Sequence, residues 1–231
     1  MRRWLRAGFA IVVLLAGCAS PERLPVGVGA APATFPAQVY RQAARQGHAV
    51  LQVDPGSSIV EIEVFRGGSL ARLGHDHAVA SHDVHGYVWP DAGRADLYVA
   101  LDLLVVDEPS LRAEAGFDTH PSPDDIEGTR RNMLTRVLET GRYPFALIAV
   151  RRDPRQADDG AASVSITLHG TTRTFDVPLK LEVTDAELTV SGTRSLRQSD
   201  FGIVPLSILG GAVQVKNDVT LRFRITARRV D

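Results

Sequence analysis

The chain of 231 residues holds one cysteine, which excludes an intramolecular disulfide and the paired-thiolate zinc modules. An excess of charge of one sign is also missing. With 26 Lys+Arg against 27 Asp+Glu and a net charge of −1, there is no basic footprint for a nucleic-acid backbone. Residues Ala7 to Ala16 form an apolar run too short for a spanning helix of ~20 residues. The chain has no Gly-x-Ser-x-Gly elbow, no phosphate-cradling Gly-x-x-x-x-Gly-Lys and no dinucleotide fingerprint after a strand. The acidic pairs Asp107-Glu108 and Asp158-Asp159 sit beside Pro or Gly as loop residues, so no catalytic set emerges. A binding protein is the expectation, not an enzyme.

The N-terminus is organised like an export signal. Arg2, Arg3 and Arg6 give a positive start, Ala7 to Ala16 the apolar stretch, and Leu15-Ala16-Gly17-Cys18 a small-residue cleavage point. Leu-Ala-Gly-Cys resembles a bacterial lipobox, which implies that Cys18 is lipidated and becomes the first mature residue. Ala19 after that Cys implies export to the outer membrane, on its periplasmic side. Removing residues 1–17 takes three arginines and leaves 23 basic against 27 acidic residues, a net charge of −4. Residues 18–47 then form a Pro/Gly/Ala-rich tether, with a short helix over Ala37 to Gln46 stopped by Gly47. The folded domain is expected over residues 48–231.

Period-two alternation dominates that domain. Phe175, Val177, Leu179, Leu181 and Val183 alternate with polar residues or Pro, and Val219, Leu221, Phe223 and Ile225 alternate with Thr and Arg. The same pattern appears in Val60/Ile62/Val64, Leu97 to Val105 and Val164/Ile166/Leu168, and more weakly in Ala49–Val53, His77–Trp89, Phe145–Val150 and Glu187–Thr193. Turn residues such as Asp54-Pro55-Gly56 and Lys216-Asn217-Asp218 separate these runs. About nine half-buried antiparallel strands follow, and closure into a barrel removes the sheet's edges. One amphipathic helix interrupts them. Ser122 is its N-cap, Pro123 its first residue, and Ile126, Met133, Leu134, Val137 and Leu138 line one face to Gly141.

Five short stretches occur in order: Val53-Asp54-Pro55 with Ser57-Ser58-Ile59-Val60; Thr129-Arg130-Arg131-Asn132-Met133-Leu134; Tyr143-Pro144-Phe145; Leu168-His169-Gly170-Thr171-Thr172-Arg173; and Ser199-Asp200-Phe201-Gly202-Ile203. Together they resemble the YceI-like family of periplasmic lipid-binding proteins. The resemblance implies an all-β fold, a lipocalin-like antiparallel up-and-down β-barrel with the one helix inserted. It also implies a ligand, a long-chain isoprenoid or other amphipathic lipid held in an apolar interior. A barrel of about eight strands can enclose one slender molecule. The candidate lining is Phe65, Leu70, Leu73, Phe117, Met133, Val137, Phe145, Phe175 and Phe201. Each of these large residues could equally serve only to fill the barrel, which would make the protein a structural envelope stress protein.

Four of the seven histidines fall between His75 and His85, in a Gly74-His75-Asp76-His77 segment that resembles a subset of the same family. On a strand, His75 and His77 share a side, and regular alternation adds His85. A divalent metal accepts such imidazoles, so His75, His77 and His85 are the candidate ligands for a metal- or haem-handling alternative. A single strand from His77 to Trp89 would span about 43 Å, so a bend must intervene and disturb that parity. The bland alternative is a set of hydrogen-bonded rim histidines.

Overall fold

The computed structural model describes residues 31–156, 160–184 and 186–229. Cys18 and the export segment lie outside the described residues. The chain begins with α1 (Ala37–Arg45), followed by β1 (Leu51–Val53), β2 (Ile59–Gly67), β3 (His77–Ser81), β4 (Val84–Trp89), β5 (Arg94–Ala100) and β6 (Val105–Val106). Two helices come next, α2 (Pro109–Glu114) and α3 (Pro123–Asn132), the second running into a π-turn over Met133–Val137. The remaining strands are β7 (Phe145–Arg151), β8 (Gly160–Leu168), β9 (Thr171–Val183), β10 (Glu187–Arg197), β11 (Ser207–Ile208) and β12 (Val213–Arg229).

These segments close a barrel of eight antiparallel strands. The ring runs β1-β4-β5-β7-β8-β9-β10-β12 and returns to β1, where Val53 pairs Ala227. The first three arms are each broken. β1 and β2 are one arm bent at the turn Pro55–Ser57, β3 and β4 one arm bent at His82-Asp83, and β5 and β6 one arm bent at Leu101–Leu103. The outer halves pair among themselves, β12 with β2, β2 with β3 and β3 with β6. The bend expected between His77 and Trp89 is therefore present. The alternation from Leu97 to Val105 does not make one strand, because Leu101–Leu103 coil into a 3-10 turn whose Leu101 N–H bonds Pro144 O at 2.9 Å.

Register sorts the two faces. Val79, Val84, Leu97, Val99, Val164, Ile166, Val177 and Val219 turn inward and are buried. Helix α3 and the π-turn close one end: Ile126, Met133 and Leu138 pack on Val79, Leu101, Leu104 and Val106. Ser122 and Asp125 form a reciprocal capping box that fixes where α3 starts. The helix does not run on to Gly141 as its apolar stripe predicts. The Leu138 N–H to Met133 O bond of 2.8 Å adds a residue to the last turn, which rotates Val137 and Leu138 onto the cluster around Phe201. Helix α2 has no counterpart in the sequence reading, since six residues carry too little periodicity.

The compact unit begins at Ala31, upstream of the expected boundary at His48. The reason is α1, whose Tyr40 is 0% exposed and stacks on Tyr87 at 5.3 Å, donating its hydroxyl to Asp96 Oδ2 at 2.5 Å. This helix covers the outer face of β4 and β5, so it belongs to the domain and not to a tether.

Candidate functional site

Many inward-facing apolar side chains are only half-buried. Ile62, Ile148, Val190, Leu221, Phe223 and Ile225 all turn into the barrel by register, yet each keeps accessible surface. These side chains pack against the buried clusters and still leave inner surface that their neighbours do not cover.

The barrel wall has a seam. Strands β9 and β10 pair only from Lys180 to Val183 against Leu188 to Ser191, although both continue well beyond. Pro178 is the local cause. The carbonyls of Asp176 and Pro178 turn toward β10, where Asp176 O meets Arg194 and Pro178 O meets Gly192, and a proline has no N–H to donate on that side. Opposite stands Gly192, where an added Cβ would lie 2.8 Å from Pro178 O and 2.7 Å from the Phe223 ring. A groove of about 680 Å³ opens there, a volume within the range of small-ligand sites. Its floor includes the inward residues Leu179 and Phe223, and its rim the outward residues Glu61, Lys180, Arg222 and Arg224. The groove thus joins the barrel's exterior to its apolar inner surface.

Next to the seam the apolar phase of β10 is broken by a cation. Arg194 pairs Leu221, one step along from the buried pair Leu196 and Val219, and so shares the inward face. Its guanidinium lies 5.5 Å from the Phe175 ring centroid, and Nη1 donates to Asp176 O at 3.3 Å, replacing a ladder bond that β9 lacks there. Sequence reasoning missed Arg194 and Pro178. The signals were available: a charge on the apolar phase of Leu188, Val190 and Leu196, and a proline inside an alternating strand.

Of the expected lining, Phe175 and Phe201 face inward, 6.2 Å apart, and Val137 packs against the same cluster while Met133 helps to close the end. Three others are on the wrong side of the wall. Phe65 follows the outward phase of Glu61 and Glu63 and meets Phe117 edge to face at 6.1 Å, outside the barrel beside α2. Phe145 pairs Ala100 on the outward phase and touches Tyr98. Leu73 is 61% exposed, and Leu70 lies in the loop after β2, bonded through its N–H to Ala212 O. A phenylalanine's phase on the strand, not its size, decides which face it lines.

Of the histidines, His75 and His77 stay neighbours, with ring centroids 6.1 Å apart, and His85 stands away from them. His77 Nδ1 is 2.6 Å from Asp107 Oδ2, and the other Asp107 oxygen accepts from Arg112 Nη1 at 2.6 Å and the Ala78 N–H at 3.0 Å. Burial alone would raise the Asp107 carboxyl. The hydrogen bonds and charge of His77, with those of Arg112 and Ala78, instead hold it below its ordinary range. His77 Nε2 faces Thr129 Oγ1 at 3.5 Å, and His75 lies beside Asp125, 4.0 Å away. His85 is on β4 beyond the bend, bonded to Asp83 and stacked on Tyr98. Among the described residues no group of three or more His, Cys, Asp or Glu side chains could hold a metal ion. The set His75, His77 and His85 is not assembled, because the bend at His82-Asp83 breaks the parity on which it depends.

A family model described as a YceI-like domain matches residues 104–227, more than half of the chain. The chain belongs to the YceI-like family. Two solved structures share its architecture. A polyisoprenoid binding domain from Saccharophagus degradans, implicated in plant cell wall breakdown, is 14% identical, covering 79% of this chain and 100% of its own, with a TM-score of 0.57. Burkholderia cenocepacia BcnA is also 14% identical, covering 75% of this chain and 98% of its own, with a TM-score of 0.52. No curated protein matches the chain. At such identities the likeness is one of fold, and the seam and Arg194 of this YceI-like domain stand on its own residues.

Proposed function

We propose that this YceI-like protein is a non-catalytic carrier that holds a long apolar chain, a polyisoprenoid or a similar amphipathic lipid, in its lumen. The observation that carries the reading is the accessible surface on inward-facing apolar residues, continuous with the groove at the β9–β10 seam. Each methylene moved from water into such a space contributes about 0.8 kcal/mol, so a chain of ten carbons binds without any reacting group. The polyisoprenoid binding reported for the Saccharophagus degradans domain supports the same ligand class.

The Leu-Ala-Gly-Cys sequence supports an anchored carrier, with a lipid on Cys18 and residues 18 onward as the connection, in the periplasm at the outer membrane. Mass spectrometry of organic extracts from protein purified in native buffer is expected to show a long-chain lipid in near-stoichiometric amount. A protein that carries no lipid, and takes up no polyisoprenoid on reconstitution, overturns the reading. Cys18→Ser is expected to move the protein from the membrane to the soluble fraction of the envelope. An unchanged distribution removes the anchor.

A further inference from the structure

Arg194 is an arginine on an apolar inner surface whose contacts among the described residues are a carbonyl and a ring, with no Asp or Glu ion pair. A cation in such a place is costly unless its donors are satisfied. Only Nη1 is, by the Asp176 carbonyl at 3.3 Å, while Nε is buried with no hydrogen-bond partner. The guanidinium is planar, and its Nε–H and one Nη2–H point in parallel along one edge, the edge that grips two oxygens of a carboxylate or phosphate. Nη1, the nitrogen used structurally, is not part of that edge. The contact with Phe175 and the bond to Asp176 engage the guanidinium through its face and Nη1, and leave Nε without a protein partner.

We propose that Arg194 selects ligands whose apolar chain ends in an anionic group, a carboxylate or a phosphate ester, and that it binds the anion through its Nε–Nη2 edge. This rests on the lumen reading above and deepens it by naming the headgroup class. Arg194 lies two residues from Gly192, where the wall opens. A lipid entering at the seam would set its head against Arg194 and its chain along Phe175, Leu221 and Phe223. The cations at the rim, Lys180, Arg222 and Arg224, stand outside the wall and would attract the same charge during approach. Arg222 is already paired with Glu63 at 2.8 Å, and Lys180 with Glu182 at 2.9 Å, which leaves the rim a weaker site than the interior fork.

The test uses delipidated full-length protein and two matched pairs of probes: palmitate with hexadecanol, and geranylgeranyl phosphate with geranylgeraniol. Inorganic phosphate alone is a further arm. The unmodified protein is expected to bind each anion roughly tenfold or more tightly than its neutral partner, the effect of one charge-assisted pair of hydrogen bonds. In Arg194→Met that preference is expected to vanish while neutral binding persists, which also shows that the variant folds. Arg194→Lys, a point charge without the fork, is expected to fall between. Arg155→Met, an exposed cation after β7 that does not line the groove, should leave the preference intact. Equal affinity for the two members of each pair, or a preference that survives in Arg194→Met, overturns the assignment of the headgroup and leaves the lumen reading standing. Binding of inorganic phosphate as tight as that of the phosphate ester makes the site one for free anions and also overturns it. A protein that binds none of the chain ligands overturns both readings.

Discussion

At the scale of single residues, the most constrained side chain is Asp107. Its side chain is fully buried, its backbone has φ 61°, and both carboxylate oxygens are engaged by His77, Arg112 and the Ala78 N–H. The left-handed backbone of a non-glycine residue is tolerated because these contacts over-determine it. Asp107→Asn keeps the shape and leaves the buried Arg112 cation its bonds to Asp76 O and Thr119 but no counter-charge. It is expected to cost about 3 kcal/mol in denaturant unfolding at neutral pH. The sign of the acid dependence follows from the lowered carboxyl. Stability from Asp107 is fully present above its unfolded value near 4 and is lost as pH falls toward the lower folded value. Unfolding curves measured between pH 5 and 2 should therefore be steeper for the unmodified protein than for Asp107→Asn, and parallel curves would remove this role. The same residue scale explains the failed histidine set, since each imidazole found a local carboxylate.

At the scale of elements, helix α3 depends on its first turn. Ser122 Oγ accepts from the Asp125 N–H at 3.2 Å, and Asp125 Oδ2 accepts in return from the Ser122 N–H at 3.0 Å. Ser122→Ala is expected to lower stability by about 1 kcal/mol, with faster hydrogen exchange confined to α3 and the π-turn. Exchange that rises equally across the barrel would mean that the cap serves the whole fold. This helix was legible because a cap, an N1 proline and acidic residues coincide within four positions. Its end was not, because a π-turn arises from packing of Val137 and Leu138 onto the barrel and leaves no residue signature. Likewise, the strands were legible from alternation, and their breaks at Leu101–Leu103 and His82-Asp83 were set by closing a curved wall.

At the scale of the whole molecule, the lumen is the property that distinguishes a carrier from a filled barrel. Val190→Trp adds an indole to the inner surface beside Ile225 and Leu181. It is expected to abolish uptake of long-chain ligands while stability stays within about 1–3 kcal/mol of the parent, the cost of overpacking. Undiminished uptake in a folded variant would place the ligand elsewhere. The sequence by itself determined the all-β class, the antiparallel alternation, the start of the inserted helix and the family, because these depend on the nature of neighbouring residues a few positions apart. Only the tertiary structure decided which phenylalanines face the interior, that α1 belongs to the domain, that inward apolar side chains keep accessible surface, and that Arg194 stands at a seam beside Pro178. Those properties depend on strand register and closure, which bring together residues such as Pro178, Gly192 and Phe223 across strands, and no local pattern encodes that meeting.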